Sequence, residues 1–156
     1  MKKAIPVEIM ALIPTQTGCA VFLGNSLKTI LFYIDPAIGL SINAAMTEQP
    51  MPRPLAHDLY MMTLQGFGAE VSRIVINKVD GDVFFARIFI TAQNEIMERK
   101  IVEIDARPSD SLAIAARAKA PILVAAEVWD QLEDKQSLLE KMQSKSGSAG
   151  FEDLDE

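Results

Sequence analysis

His57 is the only histidine among the 156 residues, and it sits in the run Arg53-Pro-Leu-Ala-His57-Asp58-Leu59. Imidazole changes charge near neutral pH. Beside a carboxylate and near an arginine, it is a candidate general acid or base. The plainer alternative has His57 hydrogen-bonded to a neighbouring strand or loop, with Arg53 and Asp58 an ordinary ion pair. A second cluster puts Asp105, Arg107, Ser109, Asp110 and Ser111 within seven residues. That density suits a site. The plainer alternative is that these groups cap a helix and pair with each other.

Local patterning says what must position them. Ile101, Val102 and Ile104 are β-formers interrupted by Glu103. Pro108 fits a first helical turn, where its missing N–H has no partner anyway. The second cluster is therefore a strand-to-helix corner. The helix carries Leu112, Ala115, Ala116 and Lys119 at helical spacing. The first cluster opens a helix from about Pro54 to Gly66, stopped by Gly66 and Gly68. Leu55, Leu59 and Met62 share one face of it. His57 stands about 200° around from Leu55, on a stripe with Met61 and Leu64.

The rest of the chain supplies strands. Residues 4–13, Cys19 to Leu23 and Leu27 to Ile34 read as three strands, the last apolar from Ile30 and expected to be buried on both faces. Asp35-Pro36 opens a helix with Ile38, Ile42 and Ala45 at helical spacing, and the proline-rich run 49–54 is a linker. The order then repeats. Val71 to Val79, an Asp80-Gly81 turn, Val83 to Thr91 and Ile96 to Asp105 precede the corner. Pro121 to Val124 is a short extended piece, and Ala126 to about Leu132 a short helix. Ile34-Asp35 answers Ile104-Asp105, Val21-Phe22-Leu23 answers Val83-Phe84-Phe85, and Leu40-Ser-Ile42 answers Leu112-Ala-Ile114. The fold expected is α+β. A duplicated three-strand, two-helix unit forms a mixed or antiparallel sheet covered by helices on one face. The domain is placed at 1–133. Residues 134–156 form an acidic tail, helical near 134–143 and flexible beyond.

Composition limits the function. Apolar residues make up 49% of the chain. Mean hydropathy is +0.17, which points to apolar surface shared in a homodimer or higher homo-oligomer. The net charge of −6 argues against a broad electrostatic grip on nucleic acid. No lysine- and arginine-rich stretch is interleaved with aromatics, so extended single-strand stacking is unsupported. Cys19 is alone, which rules out an internal disulfide and favours a reducing, cytoplasmic setting. Met1-Lys2-Lys3 and the later Cys19 imitate an export signal, but Glu8 and Gln16 break the pattern. No apolar run approaches the roughly 18 residues of a membrane span.

The run Arg53 to Leu59 and the run from Ile104-Asp105-Ala-Arg107-Pro108-Ser109-Asp110 to Arg117 together resemble the bifunctional nuclease family. The Asp80-Gly81-Asp-Val-Phe84-Phe85-Ala86 hairpin resembles that family too. The resemblance covers about residues 5–132. It implies DNase and RNase activity, nucleic acid as partner, and phosphodiester hydrolysis. For that activity, the residue chemistry assigns His57, Asp58 and Asp110 to catalysis, with Arg53 and Arg107 on substrate phosphate. Asp105 and Asp110, with Asp58 beside them, would be ligands for a divalent ion such as Mg²⁺ or Mn²⁺. The chain departs from the family pattern at Ala56, where threonine is usual, and at Asp35 and Ile38, where glycine and glutamate are usual. The alternative function is a non-catalytic dimeric binding or regulatory module, in which both runs serve only as helix caps.

Overall fold

The computed structural model describes residues 3–148; residues 149–156 lie outside them, and residues 144–148, expected to be flexible, are instead helical. Strands β1 (Ala4–Pro14), β2 (Cys19–Gly24) and β3 (Thr29–Ile34) form an antiparallel meander. Helices α1 (Pro36–Met46) and α2 (Ala56–Gly66) follow. A second meander, β4 (Ala69–Asp80), β5 (Val83–Gln93) and β6 (Arg99–Ala106), leads into α3 (Pro108–Ala118). The short strand β7 (Ile122–Ala125) then enters the centre of the sheet, and α4 (Ala126–Gln131) and α5 (Gln136–Ser148) close the described chain.

One sheet of order β3-β2-β1-β7-β4-β5-β6 results, with the two meanders flanking β7 in mirror order. Only the β4–β7 pairing is parallel. The α+β class and the duplicated meander-plus-helix order are both present. The turn after Asp80 is a two-residue loop with Gly81 at φ +61, the conformation a glycine adopts without a Cβ clash.

The helix registers refine the repeat. Pro36 and Pro108 both open their helices, so Asp35 answers Arg107 and not Asp105. Asp35 caps α1 through its carboxylate, which accepts from Ala37 N at 2.8 Å. Arg107 makes no side-chain cap; its carbonyl instead accepts from the Ser111 hydroxyl at 2.8 Å.

The main core lies between the sheet and α1, α2, α3 and α4. It is built from alternate strand residues such as Val21, Leu23, Ile74, Ile76, Ile88 and Val124. α3 is its centre, with Leu112, Ala113, Ile114 and Ala115 all buried. The sequence predicts helices on one face only, and the structure differs. α5 lies on the other face, where Leu139 is 3% exposed beside Ala20 and Phe22. Its start is fixed by Asp134, whose carboxylate accepts from Thr29 N and Gln136 N. Strand β3 is an edge strand, and burial on both of its faces is not observed: Tyr33 is 66% exposed.

Helix α2 packs with the opposite face to the one its leucine spacing suggested. Leu59 and Met62 are exposed, whereas Tyr60, Met61 and Leu64 pack on the core. Both stripes are apolar enough to be buried, and the rotation chosen turns His57 inward.

Candidate functional site

Three helices meet with a chain of polar side chains between them. His57, in the first turn of α2, has its Nε2 2.8 Å from Asp110 Oδ1, in the first turn of α3. Its Nδ1 is 2.7 Å from the Ser41 hydroxyl of α1. The Ser41 oxygen also accepts from Arg117, in the last turn of α3, at 3.0 Å. Arg117 Nε donates to Asp58 Oδ1 at 2.7 Å, and another guanidinium nitrogen donates to the Ala113 carbonyl at 3.0 Å. The second Asp58 oxygen accepts from Leu55 N at 2.8 Å, which ties down the start of α2.

Sequence spacing explains how α3 supplies both ends of this chain. Asp110, Ala113 and Arg117 are separated by three and four residues, so they share one helix face. The Arg117 side chain runs back along that face toward Ser41.

Exposure is graded along the chain. The side chains of Arg117 and His57 are 9% and 14% exposed, and Ser41 is 4% exposed. The Asp110 side chain is 42% exposed. Asp110 is therefore the more open of the two terminal carboxylates, the Asp58 side chain being 36% exposed. It sits in the first turn of α3, where the helix dipole favours an anion. The Arg117 guanidinium, through its hydrogen bond, holds the Asp58 carboxyl below the ordinary carboxylate range.

Of the residues picked out from sequence, the structure brings His57, Asp58 and Asp110 together. Asp58 pairs with Arg117, not with Arg53. Arg53 is exposed and lines a cleft of about 290 Å³ with Asp58 and Arg117. Arg107 is also exposed and lines a separate cleft of about 380 Å³ with Asp35 and Ser109. Asp105 is exposed on β6, across from Arg87. Strand alternation places it on the opposite face from Ala106, which packs toward the helices. Asp105 and Asp110 thus do not face one another. Among the described residues, no group of three or more His, Cys, Asp or Glu side chains is placed to hold a metal ion.

Neither group caps α3: the Ser111 hydroxyl bonds back to the Arg107 carbonyl four residues earlier, and Asp110 reaches another helix. Ser41 and Arg117 were missed as site residues. The signal for Arg117 was its spacing from Asp110; Ser41 carried none beyond its place in the repeat. A cavity of about 810 Å³, bordered by Glu8, Asn25 and Lys119, includes none of these groups. No described helix is long and apolar enough to cross a membrane.

Comparison with known proteins bears on what this cluster serves. Bifunctional nuclease 1 of Arabidopsis thaliana is 33% identical over 81 residues, 52% of this chain and 24% of that protein. Bifunctional nuclease 2 of Oryza sativa subsp. japonica is 32% identical over 81 residues, with the same coverage. An uncharacterized protein of Mycobacterium tuberculosis is 34% identical over 103 residues, 64% of this chain and 58% of that protein. The chain thus spans about a quarter of the plant relatives and somewhat over half of the mycobacterial one. The bifunctional nuclease domain model matches residues 22–137, a span that holds Ser41, His57, Asp58, Asp110 and Arg117, and the chain belongs to that family.

Proposed function

We propose that this chain hydrolyses phosphodiester bonds of DNA or RNA where Asp110 opens to solvent. The carrying observation is the 2.8 Å hydrogen bond that orients the Asp110 carboxylate on His57 while leaving that carboxylate exposed. Phosphodiester hydrolysis needs a group to accept a proton from water and positive charge to receive the phosphate. The Asp110 carboxylate, held in place by His57, supplies the first. Arg107, at the same helix start as Asp110, is the cation for the second; Arg53 lines a different cleft, with Asp58 and Arg117. Membership of the family and the names of the plant relatives support this reading.

Among the described residues, no three His, Cys, Asp or Glu donors converge on one point. Both His57 nitrogens and both Asp58 oxygens are engaged, and Asp105 faces away. Mg²⁺ or Mn²⁺ in this reading arrives with the substrate's phosphates.

A second reading, a non-catalytic dimeric module, draws on the exposed apolar residues of α1 and α2. Leu40 is 60%, Leu59 59% and Met62 49% exposed. Cleavage of labelled single-stranded DNA, duplex DNA and RNA, with Mg²⁺, Mn²⁺ or chelator, separates the two. Cleavage by the wild type that folded Asp110→Ala loses supports the nuclease. Equal trace cleavage by both marks a contaminant and leaves the binding module.

A further inference from the structure

The polar chain through the three helices has a direction, and Arg117 sets it. A guanidinium can only donate, so one lone pair of the Ser41 oxygen is taken by Arg117. Asp110 as a carboxylate can only accept, so His57 Nε2 carries a proton and donates. The remaining contact, Ser41 to His57 Nδ1, could run either way. Ser41 is 4% exposed, and among the described residues its hydroxyl has no other acceptor than Nδ1. A buried donor left unpaired is costly. The hydroxyl therefore donates to Nδ1. Every bond then points the same way, from guanidinium to carboxylate, and each strengthens the next.

We infer that Arg117, acting through Ser41, holds His57 as neutral imidazole with its proton on Nε2, and that Asp110, not His57, takes the proton from the attacking water. His57 in this state has no open lone pair: Nδ1 is covered by Ser41, and Nε2 carries hydrogen. Asp110 Oδ2 has no hydrogen bond within the described residues and belongs to the solvent-facing end. Ser41, Arg117 and His57 are positioning residues for it.

The role of Asp110 rests on the nuclease reading; the direction of the bonds does not. In the step itself, the water oxygen forms the new P–O bond and its proton passes to Asp110. The electrons of the breaking P–O bond leave with the ester oxygen, which takes a proton from solvent. Asp110 then returns its own proton to solvent.

Because His57 is the only histidine, long-range ¹H–¹⁵N correlation of the labelled chain at pH 8 reads one ring. The expected spectrum has Nε2 as a protonated nitrogen and Nδ1 as a bare, hydrogen-bonded one. Ser41→Ala is expected to move the Nδ1 resonance toward a free nitrogen, leave Nε2 protonated, and lower kcat with KM unchanged. A proton on Nδ1 in the wild type, or an Nδ1 resonance indifferent to Ser41→Ala in a folded variant, overturns the direction.

Kinetics decide the base. The amide of His57→Gln can donate to Asp110 and accept from Ser41, so cleavage is expected to stay within about tenfold of wild type, whereas Asp110→Asn loses about 100-fold or more. Loss in His57→Gln as large as in Asp110→Asn, with the fold retained by circular dichroism, overturns the assignment of the base. If the wild type cleaves nothing, the nuclease reading and Asp110's role as base fall together, and the spectrum still decides the direction.

Discussion

Arg117 Nε donates to Asp58 Oδ1 at 2.7 Å across 59 residues of sequence and joins the last turn of α3 to the first turn of α2. The arginine side chain is 9% exposed and the aspartate side chain 36%. Fully buried pairs lose about 3–5 kcal/mol when one partner is removed, and exposed ones about 1 kcal/mol or less. Arg117→Ala is expected to fall between these, at about 2 kcal/mol, because it also strips a donor from buried Ser41. Urea denaturation measures the loss. A change under about 0.5 kcal/mol would make the pair an ordinary surface contact.

The same pair makes stability depend on acid. The Asp58 carboxyl is lowered from its usual value of 3.8, first by the hydrogen bond from Arg117. A group whose folded-state pKa is depressed contributes stability above its unfolded value and loses it as pH falls through the folded one. Asp58→Asn is therefore expected to be less stable than wild type at pH 7. The difference should shrink as pH falls below about 4. Thermal melts from pH 7 to 2.5 test this, and a constant gap at all pH values would contradict it.

Leu139 anchors α5 against Ala20 and Phe22, on the face of the sheet away from α3. Leu139→Ala is expected to cost about 2–3 kcal/mol, the low end for a buried leucine, because the cluster is small. An unchanged denaturation midpoint would mean that α5 does not belong to the cooperative unit.

Gly39 brings α1 close to β2. A Cβ there would stand 2.9 Å from both Cβ and Sγ of Cys19. Alanine gains about 1 kcal/mol in helix propensity. The clash involves a Cβ fixed to a strand paired on both sides, so the strain of about 1–3 kcal/mol wins. Gly39→Ala should lower the melting temperature; a rise would show that α1 can shift freely.

Much of the fold was legible locally. Alternation marked the strands, Asp35-Pro36 and Pro108 marked helix starts, and Asp80-Gly81 marked the hairpin. These signals work because strand and helix periodicities and cap chemistry act within a few residues. The meander repeat was visible for the same reason. The insertion of β7 between the meanders was not. A four-residue strand takes its place from the neighbours it finds on both edges.

The site divides in the same way. The sequence by itself determined that His57, Asp58 and Asp110 stand in the first turns of two helices, next to cations. Tertiary structure decided which groups they meet. Helix α2 has two apolar stripes, and only packing against the core selected the one that turns His57 inward and leaves Leu59 exposed. That rotation, with α1 and α3 packed side by side, gave Asp58 to Arg117 in place of Arg53 and put Ser41 against the imidazole. A residue turns about 100° per step around a helix. Contacts that depend on how three helices are rotated are therefore fixed by the core they share, not by spacing along any one of them.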